Sequence, residues 1–321
     1  MLTRPLGNSG LDIVPLVFGG NVLGWTIDEK TSFKVLDAFV DHGFNAIDTA
    51  DVYSRWAPGN QGGESETIIG KWLKARPELR DKLVIFTKVG SDLGQPGQKG
   101  LSGRWISQAV EGSLSRLGID SIDLYFSHWP DPDASHEDTL SAYQKLLETG
   151  KIKAIGASNY DARLLGEALQ VAQDNNLPAY QVIQPEYNLY DRSSYDGPLR
   201  DLAIEKGLGV VTYYSLASGF LSGKYRSEKD LNQSKRGDRV AKYLTPRGMA
   251  ILATLAEVAA SHSASSAEVA LAWLITREGV TAPIASATKV SHVESFARAL
   301  ALKLSAEDLH RLDAASALPQ D

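Results

Sequence analysis

The stretch FGGNVLGW, residues 18–25, decides between two folds. It follows the apolar run IVPLVF (13–18), where a doubly wound dinucleotide-binding sheet would carry G-x-G-x-x-G opening into a helix. Gly19 and Gly20 are in place, but that glycine spacing is not met and no helix follows directly. Outward from this point, short β-rich runs alternate with longer segments of helical period. Strands are expected at 13–18, 44–48, 83–88, 123–128, 152–157, 181–184, 208–213 and 282–286. Helices are expected near 29–41, 64–75, 104–117, 137–149, 161–175, 196–206, 247–261, 266–277 and 291–301. Gly118 and Gly150 close two of them, and Ser65 or Glu64 opens the second. Strands such as VIFT, AIGA and VVTYY are apolar on both faces, as when helices cover one side and a barrel interior the other. The expected fold is α/β, a (β/α)8 TIM barrel forming one domain over 1–321.

Two stretches exceed an ordinary connection: 91–103 and 218–245. Both follow strands, so both are expected at the barrel's ligand-binding face as extended loops. Residues 304–315 read as a helix capped by Ser305 and packed across the outside.

Composition narrows the function. The chain has 321 residues, 33 basic and 39 acidic, for a net charge of −6, and no cysteine. Disulfides, thiolate catalysis and cysteine-ligated metals are excluded. No basic block suggests nucleic acid, and no apolar run approaches the roughly 18 residues of a membrane span. The first residues lack a signal peptide's pattern, so a cytoplasmic location is expected. The six histidines form no metal spacing, and no metal is expected. A monomer is expected, with a homo-oligomer still open.

Four side chains end separate apolar runs. Asp48 ends FNAIDTA's apolar core with Tyr53 five residues on, Lys88 ends LVIFTK, and His128 ends DLYFSH. An acid, a phenol, an amine and an imidazole are the parts of a proton-transfer site. Each alone has an ordinary reading: a cap or turn aspartate, a half-buried tyrosine, a snorkelling lysine, a core histidine. Together on one face they are poorly explained by packing.

DTADVYS (48–54), TKVG (87–90), DLYFSHW (123–129), GASN (156–159), QPEYN (184–188) and TYYSLASGFLSGKY (212–225) follow in this order. The chain thereby resembles the aldo-keto reductase superfamily along nearly its whole length, and its bacterial members in the insert WAPGNQGGESE (56–66). The resemblance implies NADP(H)-dependent reduction of aldehydes or ketones, with NAD(H) second. Tyr53 is then the proton donor. A free phenol has a pKa of about 10, and Lys88 is expected to lower it while Asp48 holds the lysine charged. His128 is expected to orient the substrate oxygen.

The resemblance also implies a cofactor site. Gly20, Asn21 and Val22 follow the first strand, and Asp48 adjoins the nicotinamide. Ser158, Asn159 and Gln184 match the carboxamide partners, and Tyr214 matches the stacking tyrosine beside Tyr213, a position usually small. Ser215, Leu216, Ser218, Gly219, Leu221 and Lys224 match the loop over the pyrophosphate, with Leu216 where many members have proline. At the adenosine end Ser286 and Ala287 replace a glycine or lysine opening, Thr288 an arginine and Phe296 an asparagine. Lys289, His292 and, from the long loop, Arg236 or Arg239 are the candidates for the 2′-phosphate. Trp25, Trp56 and Trp129, with Tyr53 and His128, are expected to wall a pocket for a flat, alicyclic or sugar-like carbonyl, while Trp105 is expected in the core. No arginine stands beside the four groups to clamp an acid, although Arg55 is close in sequence. Two other classes stay open: a non-catalytic NADP(H)-sensing subunit, and a barrel aldolase or isomerase using Lys88 as a Schiff base. An NAD-linked alcohol or sugar dehydrogenase is the nearest enzymatic alternative.

Overall fold

A computed structural model describes residues 2–318. Its centre is a closed barrel of parallel strands in the order β10-β3-β4-β5-β6-β7-β8-β9. The strands are β3 (Val17–Gly19), β4 (Ala46–Asp48), β5 (Val84–Val89), β6 (Ile122–Ser127), β7 (Ile152–Ser158), β8 (Val182–Gln184), β9 (Gly209–Thr212) and β10 (Ala282–Ala285). The expected TIM barrel is therefore present.

The run 13–18 is not one strand. Ile13 belongs to an antiparallel hairpin of β1 (Arg4–Pro5) and β2 (Asp12–Ile13), and β3 begins only at Val17. Pro15 in between has no N–H to donate to a ladder, which breaks the run. Leu6 and Ile13 join the apolar residues inside the barrel, so the hairpin plugs its N-terminal end. The turn fits because Gly7 has φ +57°, and a Cβ there would lie 2.2 Å from the Gly209 backbone nitrogen.

Side chains inside the barrel alternate large and small. Phe86 and Phe126 meet edge to face with centroids 6.1 Å apart. Gly156 leaves room for them, since a Cβ there would come within 2.4 Å of the Phe126 ring. A second, larger apolar shell lies between strands and helices.

The helices are α1 (Glu29–Asp41), α2 (Glu64–Lys74), α3 (Gly103–Leu117), α4 (His136–Glu148), α5 (Ala162–Asp174), α6 (Pro198–Glu205), α7 (Gly237–Val240), α8 (Pro246–Ser261), α9 (Ser266–Thr276), α10 (Val290–Ala301) and α11 (Ala306–Ser316). Asp28 caps α1 by accepting from the Thr31 N–H, and Val35, Leu36 and Phe39 turn inward one helical face apart. Gly118 and Gly150 follow α3 and α4 at φ +62° and +70°, as expected of helix ends. α2 opens at Glu64, one of the two expected residues. Gly63 precedes it at φ +84°, and the Glu64 carboxylate accepts from the Gln61 and Gly62 N–H groups. α11 carries the expected Ser305 cap and lies on the outside, where Trp273 Nε1 donates to Asp313.

The long segment after β9 is not irregular throughout. It contains 3-10 turns at Ala217–Ser222 and Glu228–Gln233 and the short α7. It doubles back across the C-terminal mouth, where Lys235 Nζ donates to the Trp25 carbonyl at 3.0 Å. Arg236 donates to Asn21 Oδ1 at 3.2 Å.

Candidate active site

All four singled-out groups converge at the C-terminal mouth. Asp48 is the last residue of β4, Lys88 lies on β5, and His128 follows β6, its N–H donating to the Val89 carbonyl. Tyr53 is brought back by a turn that Ser54 pins. Ser54 sits at φ +73°, and its hydroxyl donates to the Leu23 carbonyl at 2.6 Å.

Lys88 is wholly buried. Its ammonium donates to both Asp48 oxygens at 2.7 Å, to the Thr49 carbonyl at 2.8 Å and to the Tyr53 hydroxyl at 2.9 Å. The Tyr53 hydroxyl in turn donates to Asp48 Oδ2 at 3.2 Å, and Gln184 Nε2 donates to Asp48 Oδ1 at 2.9 Å. Asp48 thus receives three donors, which compensates much of its desolvation.

Burial pushes Lys88 down while Asp48 opposes the shift. The expected net lowering of the Tyr53 pKa is corrected. Burial, then the Asp48 carboxylate, holds Tyr53 well above the ordinary phenol range. Removal from water outweighs the neighbouring ammonium, so Tyr53 keeps its proton at neutral pH. His128 is pushed well below the ordinary imidazole range, by burial first and by Lys88 second, and is neutral. Its Nδ1 lies 3.0 Å from the Ser91 hydroxyl.

A cavity of about 800 Å³ opens over these groups, within the size range of small-molecule and cofactor sites. Of the expected residues, Asn21, Val22, Asp48, Tyr53, Trp56, His128, Trp129, Ser158, Asn159, Gln184, Tyr214, Ser215, Leu216, Ser218, Gly219, Lys224, Arg236, Ser286 and His292 line it. Lys88 stands behind the wall, reaching it through Tyr53 and Asp48. Gly20 is also behind, its carbonyl accepting from Ser65. Leu221 points into the apolar shell, and Lys289, preceding α10, is exposed. Trp25 is one layer out, edge to face with Trp56 at 5.5 Å. Trp105 is buried, as expected.

The expected carboxamide partners are already tied together. Ser158 Oγ donates to the Gln184 carbonyl at 2.8 Å, and Asn159 Nδ2 to the His128 carbonyl at 2.8 Å. Tyr213 is tied to this set, its hydroxyl donating to Asn159 Oδ1 at 2.6 Å while its ring packs on the barrel interior, and Tyr213 and Tyr214 both line the cavity. Tyr214, at φ +52°, accepts at its hydroxyl from Arg239 at 3.3 Å, and both residues line the cavity.

Sequence reasoning passed over Ser91 and Glu186. Ser91 lies just past TKVG, a visible signal. Glu186 lies inside QPEYN and lines the cavity beside Tyr213. Its carboxyl is pushed up to about 7, by burial first and then by Asp191, with Lys242 at 3.8 Å opposing.

Asp51 is a buried acid just beyond the cavity. Neither carboxyl oxygen has a hydrogen-bond partner among the described residues. Burial, then Glu66, raises it well above the carboxylate range against the pull of Arg116. A raised folded-state pKa means full stability below the unfolded value of about 4 and progressive loss as pH rises toward the folded one. Asp51→Asn is therefore expected to stabilise the protein by about 1–3 kcal/mol at pH 8 and little at pH 4.5. Urea unfolding of both proteins at the two pH values checks this; a difference independent of pH refutes it.

Residues 15–317 match the model of the Aldo/keto reductase family. The chain belongs to the aldo-keto reductase family. It is similar to an uncharacterized oxidoreductase, YrpG, of Bacillus subtilis (strain 168), at 32% identity over 96% of this chain and 94% of the relative. It is 29% identical to L-glyceraldehyde 3-phosphate reductase of Escherichia coli O157:H7, over 98% of this chain and 92% of the relative. It is 30% identical to a probable voltage-gated potassium channel subunit beta of Arabidopsis thaliana, over 94% and 91%. An aldo-keto reductase is an oxidoreductase, and the family generally uses NAD(P)H and binds small carbonyl compounds. Among the described residues no cluster of His, Asp or Glu could hold a metal, and no helix is long and apolar enough to cross a membrane.

Proposed function

We propose that this protein reduces aldehydes or ketones to alcohols with NADPH, Tyr53 being the proton donor. The observation that carries the reading is the Tyr53 hydroxyl, at the cavity wall, accepting from Lys88 at 2.9 Å and donating to Asp48 at 3.2 Å. When bound, the nicotinamide supplies the hydride for the carbonyl carbon.

The protein's own residues do the rest. His128, neutral, donates from Nε2 to the carbonyl oxygen, with Ser91 donating to Nδ1 and so fixing the tautomer. Tyr53 then gives its proton to the developing alkoxide. Lys88, 2.9 Å away, stabilises the phenolate left behind, and Asp48 keeps the lysine charged and aimed. Ser158, Asn159 and Gln184 would hold the carboxamide, and Tyr214, which lines the cavity beside Tyr213, would supply the stacking ring. Lys224 and Arg236, which line the cavity, would hold the phosphates, and His292 would serve the adenosine end.

Arg236 supports a phosphorylated ligand independently. It is partly buried, has no carboxylate partner among the described residues, and is pushed down in pKa by burial and then by Arg239. A partly desolvated guanidinium without an acid is well suited to an anion.

Titrating NADPH and NADH side by side, read by tryptophan fluorescence, tests the reading. NADPH is expected to bind at least about tenfold more tightly, one charge-assisted contact's worth. Equal or NADH-favoured binding would turn the reading into an NAD-linked dehydrogenase; binding of neither would refute it. The similarity to a channel β subunit supports a second reading, a cofactor-binding subunit without turnover. Tight NADPH binding with no consumption on adding aldehydes would favour that one.

A further inference from the structure

We propose that Arg239 clamps an anion at the outer end of the substrate pocket, so that the favoured substrates are carbonyl compounds bearing a carboxylate or phosphate. This rests on the reductase reading above and names its substrate class.

The sequence offers no arginine beside the four central groups except Arg55. The structure sends Arg55 elsewhere: a Cβ on Gly94 would meet its Nη2 at 2.0 Å, so it lies against the loop after β5. Arg239 comes instead from the long segment after β9, distant in sequence, and lines the same cavity as Tyr53. Its guanidinium lies 5.6 Å from the Trp25 ring centroid and 6.0 Å from that of Trp56. Trp56 is itself edge to face with Tyr53 at 6.1 Å, so one indole separates Arg239 from the proton donor. Cation–π contact with two mutually perpendicular indoles restrains this exposed guanidinium while leaving N–H groups free to bind an oxyanion.

Its polar contacts are few. One N–H reaches the Tyr214 hydroxyl at 3.3 Å, and no carboxylate lies within ion-pair distance among the described residues. Arg236 is a like charge nearby, so the pair repel until an anion arrives. The cavity's acids do not serve: Asp48 is committed to Lys88, and Glu186 faces Lys242. The cofactor's phosphates are matched by other groups. Arg236 is drawn toward Asn21, whose Oδ1 also accepts from Ser286, on the β3–β10 side. Both guanidiniums contact Trp25, and Arg239 alone of the two also reaches Trp56, the indole next to Tyr53. Trp56 and Trp129 are 41% and 49% exposed and form the apolar walls between the two ends. The pocket therefore suits a carbonyl at Tyr53, an apolar or flat middle and an anionic tail.

The test is reduction of 4-nitrobenzaldehyde, 4-carboxybenzaldehyde and 4-formylphenyl phosphate with NADPH by the wild type, Arg239→Met and Arg239→Lys. The wild type is expected to favour the anionic aldehydes in kcat/KM. Arg239→Met should lose about 10- to 100-fold on those, mostly in KM, while 4-nitrobenzaldehyde and NADPH affinity stay within about twofold. Arg239→Lys should recover part of the loss. Which anionic aldehyde loses more tells carboxylate from phosphate. Equal losses on all three aldehydes with weakened NADPH binding would overturn the proposal and give Arg239 to the cofactor. Unchanged kinetics would overturn it too. Turnover of none by the wild type would sink the reductase reading. In that case Arg239-dependent fluorescence quenching by 4-(hydroxymethyl)benzoate still decides for or against the clamp.

Discussion

Tyr53→Phe is expected to bind NADPH as the wild type does and to lose about 10²- to 10⁴-fold in turnover, the range for removing a general acid. The ring stays, so its edge contacts with Trp56 and His128 survive. Only the hydroxyl goes, and with it the proton the alkoxide needs. Lys88 loses one of its acceptors but keeps Asp48 and the Thr49 carbonyl, so the ammonium remains satisfied and the fold is little affected. Single-turnover absorbance with bound NADPH separates chemistry from release. The raised Tyr53 pKa adds a signature. Because the proton is held more tightly than in a free phenol, wild-type kcat/KM should stay flat through neutral pH and fall only at alkaline pH. Activity within tenfold of wild type in Tyr53→Phe would remove Tyr53 from the mechanism.

The barrel was legible because its signal is repeated. Runs such as LVIFTK and DLYFSH each mark a strand whose last residues reach the mouth, and helix ends such as Gly118 are local chemistry. What stayed hidden depends on contacts between distant residues. The plug hairpin needs Arg4 opposite Ile13, a two-residue ladder too short to show a period. The direction of the Tyr53 shift depends on burial, which spacing does not report. The bond from Tyr213 to Asn159 joins residues 54 positions apart. Arg239 reaches the pocket only because the segment after β9 folds back across it. A charged residue in a polar loop carries no local sign of its destination.

The Lys88–Asp48 pair gives the second large effect, and here the sign differs between single and double changes. Lys88→Met leaves a buried carboxylate with Gln184 and Tyr53 as its donors, and Asp48→Asn leaves a buried ammonium beside a neutral amide. Each is expected to cost about 3–5 kcal/mol, the range for breaking a buried ion pair from one side. The ammonium has an escape, since burial already lowers the Lys88 pKa and the amine can shed its proton. Asp48→Asn should therefore sit at the lower end of that range, and should worsen as pH falls and the amine is forced to charge. Removing both charges removes the desolvation cost as well as the attraction. Met at 88 keeps an unbranched apolar side chain among apolar neighbours, while Asn at 48 still accepts from Gln184. The double variant is expected within about 1–2 kcal/mol of wild type, a coupling of several kcal/mol in the cycle. Chemical denaturation of the four proteins at one pH measures it, with circular dichroism checking that each folds. All three variants should be nearly inactive, so regained stability without regained turnover would mark the pair as retained for proton transfer. Additive losses would mean that Lys88 and Asp48 act on the fold separately, and that the 2.7 Å contact between them is not what holds the site in shape.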